Sequence, residues 1–133
     1  MSDSTNSNPT LDDYKSSYFD LFGEMPEVPG KRFDDLAEIS PDFVEAFERL
    51  RAVGFYSDVF DVKTTQLIAF AHLLRAGHFA AYWHARAARR AGASWEELVK
   101  VVEIGVSTDG GMQIINDGIK IIERLRQDEE TGG

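Results

Sequence analysis

The chain has no cysteine among its 133 residues. That absence excludes disulfides, thiolate nucleophiles, thiolate metal ligands and dithiol redox chemistry together. No apolar run approaches the roughly 18 residues needed to span a bilayer. The opening MSDSTNSNPT lacks both a basic start and an apolar signal core. Positive charge is scarce as well: 14 Lys and Arg face 23 Asp and Glu, for a net charge of −9. Such a field repels phosphate backbones and anionic lipid. A cytoplasmic protein with neither a nucleic-acid nor a membrane partner is expected. Strand-like alternation is missing too, and no Asn-Gly or Asp-Gly turn joins two β-branched runs.

What remains is helical. Hydrophobic residues make up 43% of the chain and charged residues 28%, ordinary for one globular domain. Polar tails are expected at 1–10 and 127–133, leaving a domain over 11–126. Thr10 and two aspartates open a helix that meets Gly23, and EMPEVPGKR reads as a connecting loop. Ser40 and Pro41 start a helix with an apolar stripe of Phe43, Phe47 and Leu50 and a stop at Gly54. A helix over 61–76 presents Leu67, Phe70, Ala71 and Leu74, and Gly77 ends it. The next begins near His78 and closes at Gly92. Ser94 and Glu97 form a capping box for the fifth. After Gly110 and Gly111, the last helix carries Ile114, Ile115, Gly118, Ile119, Ile122 and Leu125. The expectation is an all-α bundle of about six helices.

One histidine stands out. Residues three and four apart share a helix face, so His84 lies among Ala80, Ala81, Ala87 and Ala88. Small residues admit a close neighbour; burial would lower the imidazole's pKa and a nearby carboxylate would raise it. The other face, with Phe79, Tyr82, Trp83, Arg86 and Arg90, reads as wet surface or a contact between subunits. Arg86 lies about 200° around the helix from His84, so the two cannot address one small ligand from the same helix. A core histidine satisfied by a backbone carbonyl is the bland alternative for His84, and a capping or surface role for His72 and His78. The three histidines have no regular ligand spacing, so no metal is expected.

The segments LFGEMPEVPGKRFDDLAEISPDFVEAFERLR and KTTQLIAFAHLLRAGHFAAYWHARAARRAGASWEELVKVVEIG resemble the carboxymuconolactone decarboxylase family, which includes alkylhydroperoxidase D. The shared pattern is Phe-Gly-x-x-Pro, a Ser-Pro helix start, a Lys-Thr helix, His-x-Arg-x-Ala-x-x-x-Gly-Ala, and Glu-Glu-Leu. The resemblance implies a compact all-α fold and an obligate homo-oligomer, a trimer or hexamer. The peroxidase branch carries two cysteines upstream of its histidine, and counting back from His84 places them at Gly77 and Ala80. Thiol peroxidase chemistry is therefore excluded. The family's glutamate before Leu-Ile is here Gln66. The interval from Gln66 to His84 is one residue short, so His78 is the other candidate for the first cysteine's place.

The resemblance to the Cys-less branch implies a cofactor-free lyase acting on a small unsaturated acid or lactone. His84 is its expected general acid/base, with Gln66 and His78 beside it. Arg75, Arg86, Arg90, Tyr82 and Trp83 are the expected substrate-binding residues for an anionic or enone substrate, within a subunit or across an interface. Phe55, Tyr56, Phe60, Phe79, Tyr82 and Trp83 offer more large apolar surface than a monomer of this size conveniently hides, which favours assembly. The competing expectation is a non-catalytic oligomeric module binding a small molecule or partner. A pocket reaching His84 favours the enzyme, and a ring satisfied by backbone in a dry core favours the module.

Overall fold

The computed structural model describes residues 8–132; Met1–Ser7 and Gly133, part of the two expected tails, lie outside the described residues. Among these the chain is helical, with no strand. It divides into two compact units, Met1–Tyr56 and Ser57–Gly133.

In the first unit, α1 (Leu11–Phe22) opens with a reciprocal capping box between Thr10 and Asp13 and closes on Gly23 at φ 85°. The stretch expected to be a loop is helical: α2 (Glu27–Lys31), a π-turn over Arg32–Leu36, and α3 (Ala37–Ile39) run on from one another. Pro29 is tolerated because it is the third helical residue, where an N–H has no intrahelical partner to lose. The first backbone bond, from Gly30 N–H to the Pro26 carbonyl at 3.0 Å, comes one residue later.

Helix α4 (Pro41–Phe55) starts at Pro41 as expected, though the Ser40 side chain makes no cap, and it runs through Gly54 rather than stopping there. Its buried face is also not the expected one. Phe43 and Leu50 are 56% and 68% exposed, while Val44 and Glu48 are fully buried. The Glu48 carboxylate accepts from the Tyr18 hydroxyl at 2.7 Å and from Arg51 at 3.1 Å, and lies 3.7 Å from Arg32. Tyr18 packs edge-on against Phe33, and Arg51 lies over the Tyr18 ring. A count of apolar residues discounts a glutamate, and so misses the turn on which this unit is built.

The second unit contains α5 (Val62–Arg75), α6 (Ala81–Arg90), α7 (Trp95–Asp109) and α8 (Met112–Glu130). Asp61 caps α5 through the Thr64 N–H, and Ser94 and Glu97 form the expected box on α7. Helices α5 and α6 end alike. Gly77 and Gly92 take φ 66° and 104°, and the next N–H returns to a carbonyl five residues back, His78 to Leu73 and Ala93 to Ala88, both at 2.9 Å. Helix α6 begins at Ala81, later than expected, because the turn over residues 78–80 is held by the Ala80 N–H donating to His78 Nδ1 at 3.0 Å.

Phe70, Leu74, Tyr82, Leu98, Ile114 and Leu125 form the core, with alanines of α6 between them. Ala71, on the same face as Leu67, Phe70 and Leu74 by its spacing, and Ile119 of the last helix are exposed. The expected tail is helical as far as Glu130: Tyr82 donates to Asp128, and Arg89 grips Glu129 through two bonds at 2.9 and 2.6 Å. Charge-assisted bonds hold a polar sequence in place.

Helices α7 and α8 cross at two glycines. A Cβ on Gly105 would lie 3.1 Å from Ile114, and one on Gly118 only 2.7 Å from a Val102 methyl. Gly118→Ala therefore gains about 1 kcal/mol of helix propensity but is expected to lose about 1–3 kcal/mol to overpacking. Urea unfolding should show net destabilisation that is relieved when Val102→Ala is added. Additive effects of the two changes would refute the close crossing.

Candidate active site

Gln66 comes from the second turn of α5 and His84 from the second turn of α6. Both are buried, Gln66 completely and His84 to 8% exposure. The close approach that joins them follows from composition: Ala81, Ala85, Ala87 and Ala88 are each at most 1% exposed, so α6 presents little side-chain bulk to its neighbours. Across this gap His84 Nδ1 lies 2.6 Å from Gln66 Oε1. A carbonyl oxygen only accepts, so Nδ1 carries the proton and donates. The amide nitrogen of Gln66 is buried with no hydrogen-bond partner. A buried donor left unpaired costs about 1–3 kcal/mol, and such a group is where a ligand oxygen gains most.

The other side chains singled out in the sequence lie elsewhere. Arg75 pairs with Asp109 at 3.2 Å beside a cleft of about 510 Å³ formed by α5, α7 and the start of α8, which neither Gln66 nor His84 lines. His78 and Tyr82 share a second cleft, of about 340 Å³, with Phe79, Lys120 and Arg124. Arg86 and Arg90 line a third, of about 410 Å³, with Arg89, Asp128 and Glu129. Within one subunit these clefts keep Arg75, His78 and Arg86 apart from one another. Trp83 is half-buried and meets the Tyr82 ring edge-on at 5.2 Å.

Tyr82 corrects the expectation of a wet aromatic face, since it is 4% exposed and belongs to the core. Burial first, and then its hydrogen bond to Asp128, raise its hydroxyl above the ordinary tyrosine range against the pull of Arg86. It stays protonated and donates to Asp128. Two cations of the second cleft, Lys120 and Arg124, escaped the sequence reading. Their four-residue spacing on α8 is the signal that could have found them. Among the described residues no group of three or more His, Asp or Glu could hold a metal ion, and no helix is long and apolar enough to cross a membrane.

The family model for the Carboxymuconolactone decarboxylase family matches residues 41–124, from the start of α4 to near the end of α8, and includes both Gln66 and His84. No curated protein and no solved structure matches the chain. With well over half its length matched, and His84 and its amide partner inside that match, the chain belongs to the carboxymuconolactone decarboxylase family.

Proposed function

We propose that the protein is a cofactor-free carboxy-lyase acting on a small unsaturated carboxylic acid or lactone, with His84 returning a proton to carbon. The observation that carries this reading is the Gln66 amide. Its oxygen fixes the His84 tautomer, and its nitrogen is a buried donor with no partner. In the reaction, the bond between the substrate carbon and its carboxylate breaks and CO2 leaves. The electron pair moves into the conjugated carbonyl, and the enolate oxygen so formed accepts from Gln66 Nε2. The proton on His84 Nε2 then passes to carbon, and water reprotonates the imidazole.

Arg75, Arg86, Arg90 and Arg124 line other clefts, so the cation for the substrate carboxylate comes from another subunit of a homo-oligomer. Phe60 and Ile104, each more than half exposed, supply apolar surface for that assembly. The near-complete burial of His84 favours a second reading, a binding module on the same scaffold.

One assay separates them. The full-length protein is incubated in D2O with a panel of small unsaturated carboxylates and lactones, and CO2 release and deuterium incorporation are followed by NMR. Release of CO2 with one deuteron gained at carbon per turnover is the expected result. Binding without turnover across the panel would leave the module reading and overturn the lyase. Sedimentation as a monomer at micromolar concentration would remove the shared site.

A further inference from the structure

We propose that the cleft beside the start of α6 is a separate binding site for a small aromatic carboxylate. Its volume, about 340 Å³, lies within the range of small-molecule pockets, and its walls divide by chemistry. On the α8 side stand Lys120 and Arg124, one helical turn apart. Lys120 pairs with no carboxylate among the described residues. The Arg124 guanidinium lies 3.6 Å over the Tyr82 ring, and its Nε reaches Asp128 only at 3.9 Å. The cleft's one carboxylate, Asp117, accepts from the Gln113 amide at 2.7 Å. Lys120 and Arg124 against Asp117 leave the cleft's lining one positive charge in excess, with Arg124 shared with Asp128, on a chain of net charge −9. An anion that reaches it therefore meets attraction where most of the molecule repels.

The other wall is aromatic. The rings of His78 and Phe79 stack at 4.5 Å and 25°, and Phe79 is 63% exposed. Because His78 Nδ1 already accepts from the Ala80 N–H, the neutral ring carries its proton on Nε2 and offers a donor there. Cations at one wall and a π-surface with a donor at the other suit a ligand whose carboxylate and flat unsaturated body are adjacent. Inorganic phosphate would use the cations and leave the stacked rings idle.

Titrating the full-length protein with benzoate at low salt, followed by amide shifts in 15N-edited NMR spectra, tests the assignment. Saturable shifts are expected at Gly77, Phe79, Tyr82 and Lys120. Lys120→Gln should weaken binding about tenfold, the loss of one charge contact, and Phe79→Ala about fivefold. Both positions are exposed, so the variants keep the fold, and the spectra check this directly. Cyclohexanecarboxylate should bind more weakly than benzoate. Binding that survives both substitutions overturns the proposal. So does phosphate binding of equal strength that ignores Phe79→Ala, which would leave only an anion patch. Shifts centred on Gln66 and His84 would move benzoate to the buried pair and also overturn it.

Discussion

Glu48→Ala is expected to lower the unfolding free energy by about 3–5 kcal/mol, the cost of removing one partner from a buried ion pair. The glutamate is fully buried, while the side chains of Arg51 and Arg32 are 11% and 19% exposed. Arg51 has no other carboxylate among its contacts, and Arg32 Nε already lacks a partner. Removing the carboxylate leaves Arg51 and the Tyr18 hydroxyl without their shared acceptor, and takes the ion-pair partner from Arg32, which donates to the Tyr18 oxygen at 2.9 Å. Glu48→Gln keeps an acceptor but not the charge, and should cost about 1.5–3 kcal/mol. Glu45→Ala on the exposed side of the same helix should stay within about 0.5 kcal/mol.

Both tryptophans, Trp83 and Trp95, lie in the second unit. Tryptophan fluorescence therefore follows that unit, while far-ultraviolet circular dichroism follows both. A Glu48→Ala protein within about 1 kcal/mol of the parent by dichroism, with an unchanged denaturant slope, would show that the cluster does not hold the first unit together.

The same cluster has an alkaline limit. Burial is the largest influence on Tyr18 and raises its hydroxyl above the ordinary value of 10.0. Arg51 opposes this, and the hydrogen bond to Glu48 reinforces it. A group raised in the folded state contributes stability that is complete below its unfolded value and lost as pH climbs above it. Stability should thus hold to about pH 10 and fall beyond it, and Tyr18→Phe should blunt the fall.

The second unit was the more legible half, and the reason is local. Asp61, the Ser94–Glu97 box and the glycines at 77, 92 and 110 act within a few residues of their own position, so sequence reports them directly. The first unit depends on Glu48 meeting Tyr18 from 30 residues away, and no local pattern encodes that. Proline misled at Pro29 because its meaning depends on the turn it occupies. The last helix outran its expected end because Asp128 and Glu129 bind Tyr82 and Arg89, some 40 residues earlier.

In the site, the alanine face around His84 pointed to burial, but periodicity could not name its partner. Gln66 lies 18 residues away, and it was the family pattern that singled it out. Charge alone names Arg75 and Arg86 as candidate cations, and apart from the angle between Arg86 and His84 it carries no direction. The structure sends them to separate clefts.

His84→Ala should reduce turnover of the lyase substrate by about 10²–10⁴-fold, the usual share of a positioned general acid, with little change in KM. The proton it delivers is used only after the carbon–carbon bond begins to break, so its loss falls on kcat rather than on substrate binding. Alanine removes bulk from a site already lined by alanines, and unfolding measurements must show the variant folded.

Gln66 gives the sharper test because it acts through both ends of one amide. Gln66→Glu places a carboxylate where the amide oxygen meets Nδ1 and favours the imidazolium. For a residue that must arrive protonated, the falling alkaline limb of the pH–rate profile should then move to higher pH. The same substitution deletes the Nε2 donor, so kcat at the optimum should fall even as the profile widens. Gln66→Leu loses both functions and should lower kcat without the alkaline movement. A profile that responds to neither change, in a protein that still turns over, would assign His84 a structural role and place the proton donor elsewhere.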